Sequence, residues 1–154
     1  MLTLESFEQA SEIVKQVTQE TKLIKSSYFS ELTGNKVYLK PENMQRTGAY
    51  KVRGAYYKIS TLSEEERAKG LITASAGNHA QGVAYAAKIF GVKAVIVMPT
   101  TTPLIKVNRT KSYGCCGWHN DGCFTAIAFC CISNTLGMVS CGSGNQSPLS
   151  FFFG

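Results

Sequence analysis

Two absences divide this 154-residue chain: the first 111 residues contain no cysteine, and the 43 that follow contain no lysine or arginine. Without cysteine and with a single histidine, the first part has neither a disulfide framework nor a Cys/His metal cluster, so no metal is expected there. The same absence suits the reducing cytoplasm. The N-terminus lacks a basic start followed by an apolar run, so a secretory leader is not expected. Neither a Gly-x-Gly-x-x-Gly dinucleotide fingerprint nor a phosphate loop ending in Gly-Lys-Ser/Thr is present. No basic stripe is interleaved with aromatic residues, which argues against a nucleic-acid partner.

All 16 lysines and arginines lie between Lys15 and Lys111, and nine of the ten acids lie in the first 111 residues. These charges are dispersed, and the tightest basic groups are Lys51 with Arg53 and Lys106 with Arg109 and Lys111. Residues 112–154 hold one charge, Asp121, together with the only tryptophan, Trp118, and all six cysteines: Cys115, Cys116, Cys123, Cys130, Cys131 and Cys141. At the basic frequency of the first part, so long a stretch without Lys or Arg arises about once in a thousand trials. Two compositions therefore meet near Ser112. The chain is expected to divide into residues 1–114 and a Cys-rich, uncharged tail over 115–154.

In the first part Phe7, Ala10, Val14 and Val17 recur at helical spacing, predicting an amphipathic helix over about residues 5–20. Lys36 to Lys40 alternates and stops at Pro41, as a short strand does. Thr47 is placed to cap a helix through Tyr50, Val52 and Tyr56 to about Ser60, and Ser63 with Glu66 forms a capping box closed by Gly70. A strand–helix–strand–helix pattern follows: Leu71–Ala74, then His79–Phe90 with Val83, Ala87 and Phe90 on one face, then Lys93–Met98, then a helix entered at Pro103. This spacing predicts the α/β class, with an open parallel sheet, flanking helices and right-handed crossovers. Another buried strand should come next, and the sequence does not supply it.

Two segments in this frame suit chemistry. The turn Ser75-Ala76-Gly77-Asn78 leaves a parallel strand and opens a helix, where unpaired amides and the helix dipole favour an anionic group. It suits an ordinary cap equally well. Lys51 sits in the first turn of a helix among aromatic and apolar residues, a setting that suits an amine nucleophile for a Schiff base, or simply a charged surface face. His79 follows the turn and faces either a ligand or solvent. No Ser–His–Asp triad can be assembled from spacing.

Lys40-Pro-Glu-Asn-Met-Gln-Arg-Thr-Gly-Ala-Tyr-Lys-Val-Arg-Gly-Ala55, with Ser75-Ala-Gly-Asn-His-Ala-Gln-Gly82, resembles the threonine ammonia-lyases, or threonine dehydratases. These are pyridoxal-phosphate enzymes of tryptophan-synthase-β-like fold, and the resemblance spans roughly residues 5–114. It implies that Lys51 holds pyridoxal 5'-phosphate as a Schiff base. It also implies that Asn78 hydrogen-bonds the phenolic oxygen of the cofactor and that Tyr50 lines its pocket. Ser75, Ala76, Gly77 and His79 would hold the substrate carboxylate. Where many relatives read Ser-Phe-Lys this chain has Ala49-Tyr50-Lys51, and the lysine is kept. The implied reaction is α,β-elimination of L-threonine to 2-oxobutanoate and ammonia, with L-serine giving pyruvate. Serine racemase or dehydratase and a sulfhydrylase share the lysine, and a non-catalytic fragment is the alternative outside enzymes. The resemblance implies an amino-acid substrate, no membrane, and a cytoplasmic, homo-oligomeric parent.

The family pattern continues after Tyr113-Gly114 into a large domain with a glycine-rich phosphate loop. Here the tail replaces it, and Cys141-Gly-Ser-Gly144 is the nearest match. A shift of reading frame near codon 114 accounts for both the composition change and the early end. The chain is then a truncated piece with exposed apolar sheet edges and little or no activity of its own. Two other readings are a membrane anchor over Cys123–Val139, interrupted by Ser133, Asn134, Thr135 and Gly137, and a metal site from Cys116, His119 and Cys123, whose spacing is not a standard one.

Overall fold

The computed structural model describes residues 2–113, 115–118, 126–131 and 150–152. Helix α1 (Leu4–Lys15) opens under Thr3, whose hydroxyl accepts the Ser6 N–H at 3.3 Å. Glu5 in its first turn and Lys15 in its last complement the dipole. It stops short of the expected residue 20 because the chain turns there: the Val17 N–H donates to the Val14 carbonyl, and so does the Thr18 hydroxyl, at 2.8 Å. Val14 and Val17 are buried as expected. Phe7 is not; it is 60% exposed, because only the last turns of α1 meet the body.

Strand β1 (Ile24–Lys25), helix α2 (Ser27–Thr33) and strand β2 (Tyr38–Leu39) make a small antiparallel unit, with Ile24 opposite Leu39. The strand expected over 36–40 is thus only two paired residues long. Ser26 caps α2 and Gly34, at φ +66°, ends it. A 3-10 turn (Glu42–Met44) leads to α3 (Lys51–Ser60). Thr47 does not cap α3: its hydroxyl donates to the Ala49 carbonyl at 3.3 Å, and Gly48 reverses the chain at φ +73°. The helix therefore starts at Lys51, burying Val52, Ala55, Tyr56 and Ile59 and leaving Tyr50 60% exposed. Helix α4 (Glu64–Ala68) has both halves of the expected capping box, and Gly70 follows it at φ +84°.

Strand β3 (Leu71–Ala74), helix α5 (Asn78–Phe90), strand β4 (Ala94–Pro99) and helix α6 (Leu104–Ser112) form the expected βαβα run. β3 and β4 are parallel, with Leu71 opposite Ala94 and Ala74 opposite Val97. Val83 and Ala87 of α5 are fully buried and Phe90 packs at the core margin, so the predicted face points inward. Ile59, Leu71, Ile96 and Met98 fill the space between α3, α5 and the sheet without exposure. Burial of each such side chain stabilises the fold by about 1.5–3 kcal/mol.

The tail departs from expectation. Strands β5 (Cys115–Trp118), β6 (Ala126–Cys131) and β7 (Ser150–Phe152) join the sheet in the order β5-β6-β4-β3-β7. The β7–β3–β4 portion is parallel, whereas β6 runs antiparallel to β4 and β5 antiparallel to β6. The expected unpaired edges of β3 and β4 are therefore corrected: β7 pairs with one and β6 with the other. Of the suggested membrane anchor over Cys123–Val139, Ala126–Cys131 is extended and paired along β4, and the rest lies outside the described residues. The three paired segments carry no charged residue, and the open edges of a sheet are templates for pairing with such extended segments. His119 and Cys123 of the suggested metal site lie outside the described residues.

Candidate active site

The first functional segment is held by polar contacts that spacing alone does not reveal. The Gln45 side-chain amide accepts the Gln19 N–H at 3.0 Å and donates to the Gln19 carbonyl at 2.7 Å, a two-point clamp like a strand pair. Arg46 Nε donates to the Val17 carbonyl at 3.0 Å, and Lys40 Nζ to the Thr21 carbonyl at 2.5 Å. Glu42 accepts two bonds from Arg53, Nε to Oε2 and Nη2 to Oε1, each 2.9 Å, and a third from the Thr21 hydroxyl at 2.5 Å. These charged, two-pronged contacts, with the Arg53 guanidinium the leading cause, hold the Glu42 carboxyl down to about 2 from an ordinary 4.5. Arg53 lies two residues beyond Lys51 in the first turn of α3. The pair therefore fixes the start of that helix to the 3-10 turn.

The second segment leaves the sheet at Ala74. The Ser75 N–H donates to the Val97 carbonyl at 3.0 Å, the last rung joining the turn to β4. The Ser75 hydroxyl then accepts the N–H groups of Gly77 and Ala80, each at 3.3 Å. Ser75 thus satisfies one of the opening amides of α5, whose N-cap position is Gly77. Asn78 is the first residue of α5 and is exposed, while Ala76, Gly77 and His79 are half-buried around it.

Helices α3 and α5 bring the two segments together. A Cβ added to Gly82 would lie 3.0 Å from the Lys51 carbonyl oxygen, so the backbones touch at that point. The Lys51 charge reaches His79: burial first, and the ammonium second, hold the imidazole below its ordinary 6.5. Lys51 Nζ also stands 5.9 Å from the centre of the Tyr50 ring. From α6, Lys106 Nζ comes within 3.7 Å of where a Gly77 Cβ would be. Among the described residues neither Lys51 nor Lys106 makes an ion pair.

The structure therefore sets Lys51, with Tyr50 beside it, against the end of α5 that carries Ser75, Ala76, Gly77, Asn78 and His79. Two ammonium groups and the opening amides of a 13-residue helix suit an anion, and the Lys51 amine suits an aldehyde. The residues present thus fit the aldehyde-bearing end of pyridoxal phosphate and a carboxylate beside it. The cavity next to α1, about 410 Å³ and lined by residues including Ser11, Thr18, Lys40 and Arg53, holds none of them. Glu42, Gln45 and Gly82 stand within the quoted motifs and Lys106 in a basic group, but the sequence assigns none of them a role. Only Gly82 carried a local signal, a glycine inside an Ala-rich helix.

The chain is 55% identical over 114 residues to an L-threonine ammonia-lyase of Thermotoga maritima, covering 74% of this chain and 28% of that protein. Among solved structures, serine racemase from Dictyostelium discoideum superposes with a TM-score of 0.69 at 39% identity, covering 73% of this chain and 37% of its own. The processed form of threonine deaminase isoform 2 from Solanum lycopersicum gives 0.65 at 44% identity, covering 74% of this chain and 32% of its own. The chain spans about a third of the length of these relatives. Residues 14–120 match the family model described as pyridoxal-phosphate dependent enzyme. By sequence and by fold, this chain belongs to the pyridoxal-phosphate-dependent enzyme family.

Proposed function

We propose that residues 1–114 are the lysine-bearing N-terminal part of a threonine ammonia-lyase, and that residues 115–154 are foreign to the enzyme. The observation that carries this reading is the approach of Lys51 at the head of α3 to the anion-favouring turn at the head of α5. The identity to an L-threonine ammonia-lyase supports the substrate. Bound at Lys51, pyridoxal phosphate supplies an electron sink for the substrate α-carbon.

The chain's own residues have separable tasks. The Lys51 amine would hold the cofactor by its aldehyde, and the same amine is the group placed to take the substrate α-proton. Asn78, in the first turn of α5, would donate to the phenolic oxygen of the cofactor, and Tyr50 would border it. The Ser75–Gly77 turn and His79 receive the substrate carboxylate, and a neutral imidazole there adds no charge beyond that of Lys51. Loss of the β-hydroxyl from L-threonine gives 2-oxobutanoate and ammonia, and L-serine gives pyruvate. In this reading the parent enzyme is cytoplasmic and homo-oligomeric, and the 154-residue chain turns over little or no substrate. A serine racemase is the second reading, favoured by the superposition with that enzyme.

Incubation with pyridoxal phosphate, reduction with borohydride and peptide mapping test the assignment. Trapping is expected at Lys51 in preference to the other 11 lysines, and to be lost in Lys51→Arg. Equal trapping at all lysines refutes it. For the parent, threonine yielding 2-oxobutanoate separates the lyase from a racemase that converts L-serine to D-serine. Re-sequencing the coding DNA from about codon 105 tests the tail: a second frame restoring family sequence after Tyr113-Gly114 marks residues 115–154 as out of frame.

A further inference from the structure

Gly82 stands five residues into α5, where glycine weakens a helix by about 1 kcal/mol relative to alanine. Its value here is steric. A Cβ at this position would meet Lys51 O at 3.0 Å, Lys51 C at 3.1 Å and the Val52 N at 3.2 Å. All three are backbone atoms, so no side-chain rotation relieves the contact. The second glycine of this helix pair behaves differently: a Cβ on Gly54, within α3, would meet nothing within 4 Å. Close approach at Gly82 is therefore not shared by Gly54, which is exposed.

That site is one helical turn from the cofactor-facing end of α5. Asn78 and Gly82 are four residues apart and share a helix face, about 6 Å apart along the axis. An extended lysine side chain spans about the same distance. With its backbone seated on Gly82, Lys51 can bring its amine level with Asn78 and the Ser75–Gly77 turn. We propose that Gly82 is a positioning residue that sets the depth of Lys51 against the head of α5. This rests on the reading of Lys51 as the cofactor-linking amine and adds a residue that touches neither cofactor nor substrate. Replacing Gly82 with alanine pushes the first turn of α3 away by a few tenths of an ångström and carries the amine with it.

The experiment compares Gly82→Ala and Gly54→Ala in the full chain. Lysines are reductively methylated with 13C-formaldehyde, and the Lys51 methyl resonance is assigned by its absence in Lys51→Arg. A shifted Lys51 resonance is expected in Gly82→Ala and an unchanged one in Gly54→Ala. On unmethylated protein, pyridoxal phosphate trapping at Lys51 should fall about tenfold in Gly82→Ala alone, at unchanged far-ultraviolet circular dichroism. A Lys51 resonance and trapping yield in Gly82→Ala equal to those of the unsubstituted chain overturn the proposal. If trapping in the unsubstituted chain falls elsewhere, the cofactor assignment of Lys51 fails, and the methyl resonance by itself decides whether Gly82 places that side chain. If Gly82→Ala does not fold, it is combined with Gly54→Ala, which strengthens α3 without meeting a neighbour. Should the pair also fail, the nuclear Overhauser contact between Gly82 Hα and the Val52 N–H in the unsubstituted chain decides, and its absence overturns the proposal.

Discussion

Replacing Glu42 with glutamine isolates the contact that ties α3 to the 3-10 turn. The side chain keeps its shape but loses the charge that accepts two bonds from Arg53 and one from Thr21. A carboxyl that titrates at about 2 instead of 4.5 contributes about 3 kcal/mol of folding free energy at neutral pH. The Glu42 side chain is only 17% exposed, so solvent screens little of this, although Arg53 at 33% makes it an upper figure. The sign follows from the depressed folded value. Above about 4.5 the carboxylate is charged in both states and its contribution is complete; as pH falls toward 2 the unfolded chain binds the proton first and the contribution drains away. Urea unfolding of the unsubstituted chain and Glu42→Gln should therefore differ by up to about 3 kcal/mol at pH 7 and converge near pH 2. Other carboxylates titrate in both proteins and cancel in the difference. A gap that stays constant from pH 7 to pH 2.5 would refute the reasoning.

His79 should titrate below 6.5 by NMR, and Lys51→Gln should move it upward by part of the gap, because burial is the larger cause. Since the folded protein disfavours the imidazolium, this residue takes stability away as pH drops through 6.5; a His79 titration above that value overturns the placement of Lys51 beside it. Ile59→Ala removes a fully buried side chain between α3 and the sheet and should cost about 2–5 kcal/mol in urea unfolding.

The βαβα run was legible because its periods are clean: Val83 and Ala87 recur on one face, and β4 is a continuous apolar run between Gly91 and Pro103. The β1–α2–β2 unit was not, since α2 buries nothing and its strands pair over two residues each. Hydrophobic periodicity has no signal to offer where nothing is buried. The start of α3 was misplaced because Thr47 has a capping side chain in a backbone that Gly48 turns away from the helix. The site residues were named through motif resemblance; what joins them, Glu42 to Arg53 and Gly82 to Lys51, crosses 11 and 31 residues of chain. The strands of the tail had no expected partner because their composition matched no family pattern.

The clamp between Gln45 and Gln19 bears on how such chains are recognised. Four polar side chains of the segment from Lys40 to Arg46 spend their hydrogen bonds on residues 17–21 or on Arg53, and none on the turn at the head of α5. Much of that motif is joinery. A descendant that had abandoned chemistry but still had to fold would have reason to keep every one of those four residues, so their presence vouches for architecture. On the function proposed above, activity would rest on a narrower set: an amine at position 51, an amide side chain at 78, and the missing methyl group at 82 that lets the backbone of Lys51 approach α5.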